Sequence, residues 1–301
     1  MTGQAATDFR LDIRRRTHAD FAASFVVNQT GLGDSSLPAT AAEPRRDKSY
    51  GVSADLVHDF GGLEASVKLA LLRNSFDNVA LVGGGTENNA DRNFIEPSVT
   101  LRATYGQQGT PIKPYAEISY APRIHDQKID RNGNQRDSQG FSAALGVGLD
   151  DGPIWQDDLA LTYLVRNYVD ATLATESAIG LRGRIKWRPT GLLQLDAISG
   201  VDLGETASAG IGGTRSWNVG LTAIYAIRDN INLLAGVGYS TTNTGTAITD
   251  NRTVSAGIDW TLNPNMTASI GYQGTWFNDG TGLGSGNYND QRLLTSIVLK
   301  K

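Results

Sequence analysis

The sequence predicts an all-β protein, a transmembrane up-and-down antiparallel β-barrel of about fourteen strands. Three observations support this prediction. Apolar and polar residues alternate with a period of two along almost the whole chain, short turns alternate with long polar loops, and aromatic residues recur at both ends of the apolar face. The alternation is typical of strands. The two classes of connector and the two aromatic bands are typical of barrels that cross a membrane.

The strands are recognised by their alternation. In "SWNVGLTAIYAI", apolar side chains occupy the odd positions from Trp217 to Tyr225, and mostly polar residues or glycine occupy the even positions. "INLLAGVGYS" and "TVSAGIDWTL" repeat the pattern, and no segment with helical spacing separates them. The predicted strands lie near 19–30, 48–60, 62–77, 93–106, 113–126, 138–150, 157–169, 177–188, 192–203, 214–227, 231–241, 250–262, 266–278 and 289–300, with sixteen strands as the alternative count.

The connectors fall into two classes that take turns along the chain. Short turns such as "GG" at 61–62 and "NPN" at 263–265 alternate with long polar loops such as 31–47 and 279–289. Outer-membrane barrels have this asymmetry, with tight turns on the periplasmic side and longer loops outside. The order of the connectors therefore predicts hairpins that follow one another around a single barrel.

The N-terminal segment has three interpretations. Residues 1–18 are predicted to be a periplasmic segment or an early extension of the first strand, and residues 19–301 a single barrel. Phe9, Leu11 and Ile13 keep the alternation of the following strand, but a hairpin around "RRTHAD" would add a strand. The segment lacks the apolar stretch of a signal peptide, so we expect that the signal of an exported protein has been removed.

Composition excludes several classes of function. The net charge is −4 and the pI about 5.4, which argues against nucleic-acid binding, because such binding needs a basic surplus. Cysteine is absent and only three histidines are present, so we expect no metal site and no cofactor. No apolar run approaches the length of a transmembrane helix.

Aromatic residues mark two bands on the apolar face. From Trp217 to Tyr225 a tilted strand rises on the order of 20 Å, close to the apolar height of such barrels. We therefore expect the apolar face to contact outer-membrane lipid and lipopolysaccharide. The predicted girdle residues are Phe60, Tyr105, Tyr120, Trp187, Trp217, Tyr225, Tyr239, Trp260 and Trp276.

The opposite face carries charges that a dry core could not hold. A water-filled barrel would keep them solvated, and they would then line a pore. Two interpretations stay open: opposed charges across the lumen select solutes, or they pair across strands and only keep the lumen hydrated. The predicted pore-lining residues are Arg102, Glu117, Arg123, Arg166, Arg182, Arg184, Lys186, Asp196, Asp202 and Asp259.

Three further motifs give weaker signals. His125 and Asp126 stand together at a strand end, but no G-x-S-x-G motif accompanies them, so we expect a solvated histidine and no enzyme. The glycine-rich stretch 279–290 lacks the repeat of calcium-binding loops. The basic run 10–18 could bind anionic lipid or a periplasmic partner, but a solvated strand end is the favoured interpretation.

The C-terminal half resembles a known family. "IKWRPTGLLQLDAISGVDLGETASAG" and the hairpins after it are similar to outer-membrane proteins of the "beta-barrel porin 2" type over about 160–301. The resemblance implies a Gram-negative outer-membrane barrel, and some members of the family accompany exopolysaccharide-export genes. One departure is the end of the chain, where Leu299 and Lys301 stand instead of a terminal aromatic residue. The matching residues are Trp187, Pro189, Thr190, Leu192, Leu193, Arg228, Asn230, Leu233, Leu262, Asn263, Asn265 and Tyr272.

These observations leave three candidate functions for the protein. The first is a passive porin or channel for small hydrophilic solutes or saccharides. The second is a structural anchor with an occluded lumen that binds a partner through its loops. The third is a soluble all-β extracellular protein. The oligomeric state and the transported solute are not encoded in these patterns.

Overall fold

The structure is a computed structural model that describes residues 3–30, 40–107, 109–150, 152, 154–206, 209–245, 247–280 and 286–299. Antiparallel strands make up most of this part, and its one short helical turn is the 3-10 helix Ala90–Arg92. No helix in the described ranges is long and apolar enough to span a bilayer. The predicted all-β, up-and-down antiparallel barrel fold is confirmed.

The strands follow the predicted alternation closely. They are β1 (Gly3–Arg14), β2 (Thr17–Thr30), β3 (Arg45–Asp59), β4 (Leu63–Phe76), β5 (Val79–Ala80), β6 (Thr86–Glu87), β7 (Phe94–Tyr105), β8 (Ile112–His125), β9 (Ser138–Leu149), β10 (Trp155–Gln156), β11 (Asp158–Tyr168), β12 (Glu176–Trp187), β13 (Leu193–Glu205), β14 (Gly213–Arg228), β15 (Ile231–Asn243), β16 (Ile248–Asn263), β17 (Met266–Asn278) and β18 (Tyr288–Leu299).

Sixteen of the strands form one sheet, and β5 and β6 form a small separate hairpin in the loop between β4 and β7. Each long strand pairs with the next long strand of the chain. The two-residue β10 pairs only with β12, and Asp157, at a φ of 80°, separates it from β11. The sheet therefore has the alternative count of sixteen strands, although β10 and β11 are two parts of one crossing.

The N-terminal segment is a full strand of its own, and neither a periplasmic segment nor an early extension of the next strand. Gly3–Arg14 pairs with β2 over its whole length, from Gly3 opposite Val27 to Arg14 opposite Thr17. The two residues Arg15 and Arg16 make the turn. The hairpin alternative therefore describes this segment, and it adds one crossing to the fourteen predicted from the sequence.

The strand order of the sheet is linear from β1 to β18. Within the described residues, β1 pairs only with β2 and β18 only with β17, so each has one unpaired side. Because every long neighbour is antiparallel and the number of crossings is odd, β1 and β18 run in the same direction. Every residue of β1 is exposed.

Burial divides the sheet into two regions. We call β7–β14, residues 94–228, the closed region, because most buried side chains belong to it. We call β1–β4 and β15–β18, residues 3–76 and 231–299, the open region. Its strands expose large apolar side chains on one face and mostly half-buried polar residues on the other.

One ladder inside the closed region is incomplete. In the described residues, β12 and β13 pair only from Gly183–Ser199 to Trp187–Leu195. Beyond this point Val201 and Leu203 of β13 are buried against Ala178, which lies on the inner face of β12. The outer face of β13 therefore lies against the inner face of its neighbour.

Candidate solute pathway

The ten predicted pore-lining residues lie on the face of the sheet opposite its exposed apolar side chains. Eight of them form the ion pairs described below, all in the closed region. Asp202 is exposed and lines a cavity, and the half-buried Asp259 lies opposite Asn232 in the open region.

Arg123 is the centre of the charged interior. Its Nε lies 2.5 Å from a carboxylate oxygen of Glu96, and its Nη1 lies 2.5 Å from one of Glu205. Its Nη2 donates to the carbonyl oxygen of Leu203 at 3.4 Å, and the guanidinium carbon lies 4.8 Å from the centre of the Phe94 ring. Arg123 is 8% exposed, so these contacts replace nearly all of its hydration.

Arg166 joins the same group from β11. Its Nη2 donates to Glu96 at 3.1 Å and its Nη1 to the Ser138 hydroxyl at 3.1 Å. A Cβ on Gly140 would lie 2.8 Å from the Arg166 Nη2, so this position needs glycine for the guanidinium to fit. We call Glu96, Arg123, Arg166 and Glu205 the central ion network.

A cavity of about 150 Å³ lies beside the central ion network. Its charged lining is formed by Glu96, Arg123, Arg166 and Asp202, and Ser119 and Ser142 add hydroxyls. A space of this size with several polar partners can hold several water molecules. The closed region therefore has a polar interior, but one filled largely by its own side chains.

A second layer of charges crosses the interior between strands that are not neighbours. Glu117 of β8 accepts from the Arg182 Nη2 at 2.5 Å, although two strands separate β8 from β12. Arg102 of β7 lies 3.0 Å from Asp158 of β11 and stacks 3.5 Å from the centre of the Tyr115 ring. Such contacts require that the sheet curl tightly here.

The basic ladder of β12 pairs mostly with nearby strands. Arg184 lies 3.3 Å from Asp196 on β13, and Lys186 lies 3.4 Å from Asp157 beside β10. Only Arg182, through Glu117, reaches across the interior. The structure thus brings together both patterns that the sequence left open, pairing between neighbouring strands and opposition across the lumen.

Three loops meet at the same end of the interior through ion pairs and a hydrogen bond. Arg136 Nε lies 2.5 Å from Asp130, both side chains being almost fully buried, and its Nη1 donates to the Ile211 carbonyl oxygen at 3.0 Å. Arg131 binds Asp91 at 2.7 Å. Burial tends to raise the pKa of Asp91, but the hydrogen bonds from Arg131 outweigh it and lower that pKa.

Two other loop residues are electrostatically unusual. Hydrogen bonds from the side chain and backbone of Thr172 and from the backbone of Gln135 lower the pKa of Asp170 to about 2. Burial, together with the neighbouring Arg45, lowers the pKa of Arg92 to about 10. Both Arg45 and Arg92 lie over the Phe76 ring, at 5.3 and 4.6 Å from its centre.

His125 differs from its expected solvated state. It is 7% exposed, with Nε2 3.7 Å from Glu205 and Nδ1 3.4 Å from Asp137. Its neighbour Asp126 instead faces outward to a paired Arg73 at 2.5 Å. The ring contacts Phe94 at 5.4 Å between centres, so the histidine packs beneath the loops. The described residues bring no three histidine, aspartate or glutamate side chains into a metal-binding arrangement.

Most predicted girdle residues are exposed on the apolar face. Two members are half-buried instead, and of these Trp217 packs against Leu164 and the buried cluster of β12 and β13, which differs from its predicted outer position. Its indole donates to the Ile179 carbonyl oxygen at 2.9 Å. Tyr120 is half-buried and its ring contacts Phe141. The exposed members are Phe60, Tyr105, Trp187, Tyr225, Tyr239, Trp260 and Trp276.

Sequence reasoning missed two important residues of this interior. Glu205 was assigned to a loop, and its odd position matches the outward phase of Val201 and Leu203. It reaches Arg123 only because β13 turns its outer face inward. Tyr115 was missed because its position was read only as part of a strand. In the basic run 10–18, Arg10 pairs with Asp12 at 3.1 Å. The predicted features at 281–285 and Lys301 lie outside the described residues.

The apolar outer face, the charged inner face and the hairpin order define the class of outer-membrane β-barrels. The chain belongs to the family described as "Putative beta-barrel porin 2", which matches residues 2–301. This match confirms the resemblance found in the sequence and extends it over both halves. Family and fold together indicate a bacterial outer-membrane barrel.

Solved structures support the fold alone. The FrpB iron transporter from Neisseria meningitidis matches in its F5-1 variant with a TM-score of 0.54 and 9% identity, covering 92% of this chain and 53% of that chain. Its F3-3 variant matches with a TM-score of 0.52, 9% identity and the same coverages of 92% and 53%. The chain thus spans about half the length of these structures. No curated protein matches the sequence.

Proposed function

We propose that this chain forms an outer-membrane channel that lets small hydrophilic solutes, including saccharides, pass along its charged inner face. The proposal rests on one observation: charged and polar side chains line the inner face of the sheet, behind an apolar outer face. The apolar face would contact lipid and lipopolysaccharide, and the charged face would keep water and solutes in the interior.

The central ion network would be the narrowest part of this path. Arg123 lies 2.5 Å from a carboxylate oxygen of Glu96 and 2.5 Å from one of Glu205, and these three side chains close the interior beside the cavity. Removing the carboxylate of Glu205 frees one arm of Arg123 and vacates volume at the constriction. We therefore expect low conductance in the native protein and a several-fold higher conductance in Glu205→Ala.

Planar-bilayer recording and liposome swelling test this proposal. The purified chain is reconstituted in lipid, and swelling is measured in sugars of increasing size. Asp290→Ala is the matched control, because Asp290 pairs with Arg292 on the same exposed strand, far from the closed region. We expect the control to behave as the native chain. If neither the native chain nor Glu205→Ala conducts at any voltage, the channel proposal fails.

A second candidate function is favoured by the filled interior. An anchor that binds a partner through its loops needs no open lumen, and the closed region is sealed by buried ion pairs such as Arg136–Asp130. The same recordings separate the two functions: an anchor gives no conductance even when Glu205 is removed. Purification without detergent as a monodisperse species would instead support a soluble all-β protein.

A further inference from the structure

The gap between β12 and β13 is bounded by two complete ladders. On one side β12 pairs with β11 from Arg166–Glu176 to Leu159–Gly183. On the other side β13 pairs with β14 from Leu193–Tyr225 to Glu205–Gly213. Only the ladder between them stops early, at Gly183–Ser199. Both strands thus continue as regular strands past the point where they separate.

Side chains occupy the hydrogen-bonding positions that the missing ladder leaves. The Ile179 carbonyl oxygen accepts from the Trp217 indole at 2.9 Å, and the Leu181 carbonyl oxygen accepts from the Ser199 hydroxyl at 3.0 Å. These two carbonyls lie two residues apart, so both point from β12 toward β13. Two side chains therefore take the place of backbone donors along this edge.

The separated part of β13 closes the interior. Val201 and Leu203 are 7% and 5% exposed against the inner face of β12. The next residue of the same phase, Glu205, reaches Arg123 and His125. The separation and the central ion network are thus parts of one arrangement, since β13 supplies Glu205 only while its outer face is turned inward.

The register of the short β12–β13 ladder would also suit a ladder that continues toward the loop end. Continued without a shift, it places Val201 opposite Leu181 and Leu203 opposite Ile179. All four are apolar, and Leu181 and Ile179 already lie exposed on the outer face. Cross-strand pairs of this kind stabilise a sheet, and the register would be fully compatible with the alternation of both strands.

The residues on the inner face of the longer ladder are also complementary in charge and size. Arg182 would lie opposite Gly200, and Asp202 would lie opposite Gly180, so that Arg182 and Asp202 become diagonal neighbours within reach of a long side chain. Arg182 could then exchange Glu117 for Asp202. Trp217, which pairs with Val201, would follow it to the outer face, where the alternation predicts a girdle residue.

We propose that β12 and β13 form a gate with two states, the separated state of the structure and a paired state in which the ladder extends to the loop end. Lipid favours the paired state, because unpaired backbone groups are costly in a bilayer. The buried cluster and the central ion network favour the separated state. Pairing withdraws Leu203 and Glu205 from the interior and so opens the path. The link between pairing and conductance rests on the proposed function.

Engineered disulfides test the two states separately, because the chain has no native cysteine. In the separated state a Cβ at Gly180 lies 3.0 Å from the Val201 Cβ, and a shift of about 0.5 Å brings the two to the spacing of a disulfide, so Gly180→Cys/Val201→Cys reports that state. Leu181→Cys/Val201→Cys reports the paired state, since these two positions face each other only in the longer ladder. Ile185→Cys/Ala197→Cys is the control, paired in both states.

The experiment oxidises each variant of the full chain in lipid vesicles and counts free thiols by maleimide labelling, followed by bilayer recording. We expect all three pairs to lose labelling. We also expect Leu181→Cys/Val201→Cys to conduct several-fold more than the control, and Gly180→Cys/Val201→Cys to conduct less. If the Leu181 pair keeps its free thiols while the control oxidises, the gate does not exist.

Two further outcomes can be told apart from a failure of the gate. Should Gly180→Cys prevent folding, Ala178→Cys/Leu203→Cys and Ile179→Cys/Leu203→Cys repeat the comparison with another residue of the same buried cluster. If the Leu181 pair oxidises and no variant conducts, β12 and β13 do rearrange as proposed. The channel function fails in that case, and with it the opening role of the gate.

Discussion

The closed region and the open region share one alternation of apolar and polar residues but differ in what lies inside. In the closed region, Arg123 and Arg166 bind carboxylates from several strands, and glycines such as Gly140 allow the sheet to curl around them. In the open region, the inner face carries mostly short polar residues, and few side chains are buried. The difference teaches that alternation specifies which face is wet, whereas complementary charge and small residues specify whether that face closes.

The largest expected effect comes from removing one arginine in each region and comparing the loss of stability. Arg123→Ala removes the arginine that binds both Glu96 and Glu205 and leaves Glu96 with Arg166 alone, and breaking this largely buried network costs about 3–5 kcal/mol. Arg292→Ala removes an exposed pair with Asp290 and should cost less than about 0.5 kcal/mol. Urea unfolding of the lipid-reconstituted protein measures both free energies. Equal costs would contradict the distinction between the regions.

A smaller effect tests the role of glycine in the curl. A Cβ on Gly146 would lie 2.5 Å from Cζ of Tyr115 and 2.7 Å from the Leu159 carbonyl oxygen, so Gly146→Ala should cost about 1–3 kcal/mol. In the open region a Cβ on Gly271 has its nearest contact at 3.5 Å, from the Ala256 carbonyl oxygen. Gly271→Ala is therefore the matched control and should unfold at nearly the native urea concentration. A larger loss in the control would refute the argument from close packing.

The loops of the closed region should respond to acid. The pKa of Asp170 is lowered from 3.8 to about 2 by hydrogen bonds from Thr172 and Gln135. A lowered folded-state pKa contributes stability above the unfolded value, and this contribution is lost as the pH falls from about 4 to about 2. We expect pepsin cleavage within residues 127–137 to increase over that range. Asp170→Asn should show the increased cleavage at every pH, and unchanged cleavage of the native chain between pH 4 and 2 would count against this assignment.

Sequence reasoning predicted the fold better than the interior. A period of two and the order of turns and loops are local, so the strands, the faces and most exposed aromatic residues could be read from the chain. The hairpin of β1 and β2 was only one alternative, because its turn residues Arg15 and Arg16 carry no glycine or proline signal. Glu205 and Trp217 could not be placed, since their positions depend on β13 turning its outer face against β12, a non-local contact that no period encodes.

The smallest expected effect compares two threonine hydroxyls of the closed region, one without a hydrogen-bond partner and one with a partner. Thr162 is fully buried in the closed region, and its Oγ1 has no hydrogen-bond partner among the described residues. Thr162→Val keeps the shape and removes an unsatisfied polar group, so we expect a gain of up to about 1 kcal/mol.

Thr100→Val is the matched control for this change. It removes a hydrogen bond of 2.9 Å to the Ser119 hydroxyl, so we expect a loss of about 1 kcal/mol. If urea unfolding shows a gain in stability for Thr162→Val and a loss for Thr100→Val, polar groups stabilise the closed region only where they have hydrogen-bond partners. If the free energy of unfolding falls in both variants, the Thr162 hydroxyl makes a hydrogen bond in the folded protein. The argument from an unsatisfied polar group would then be wrong.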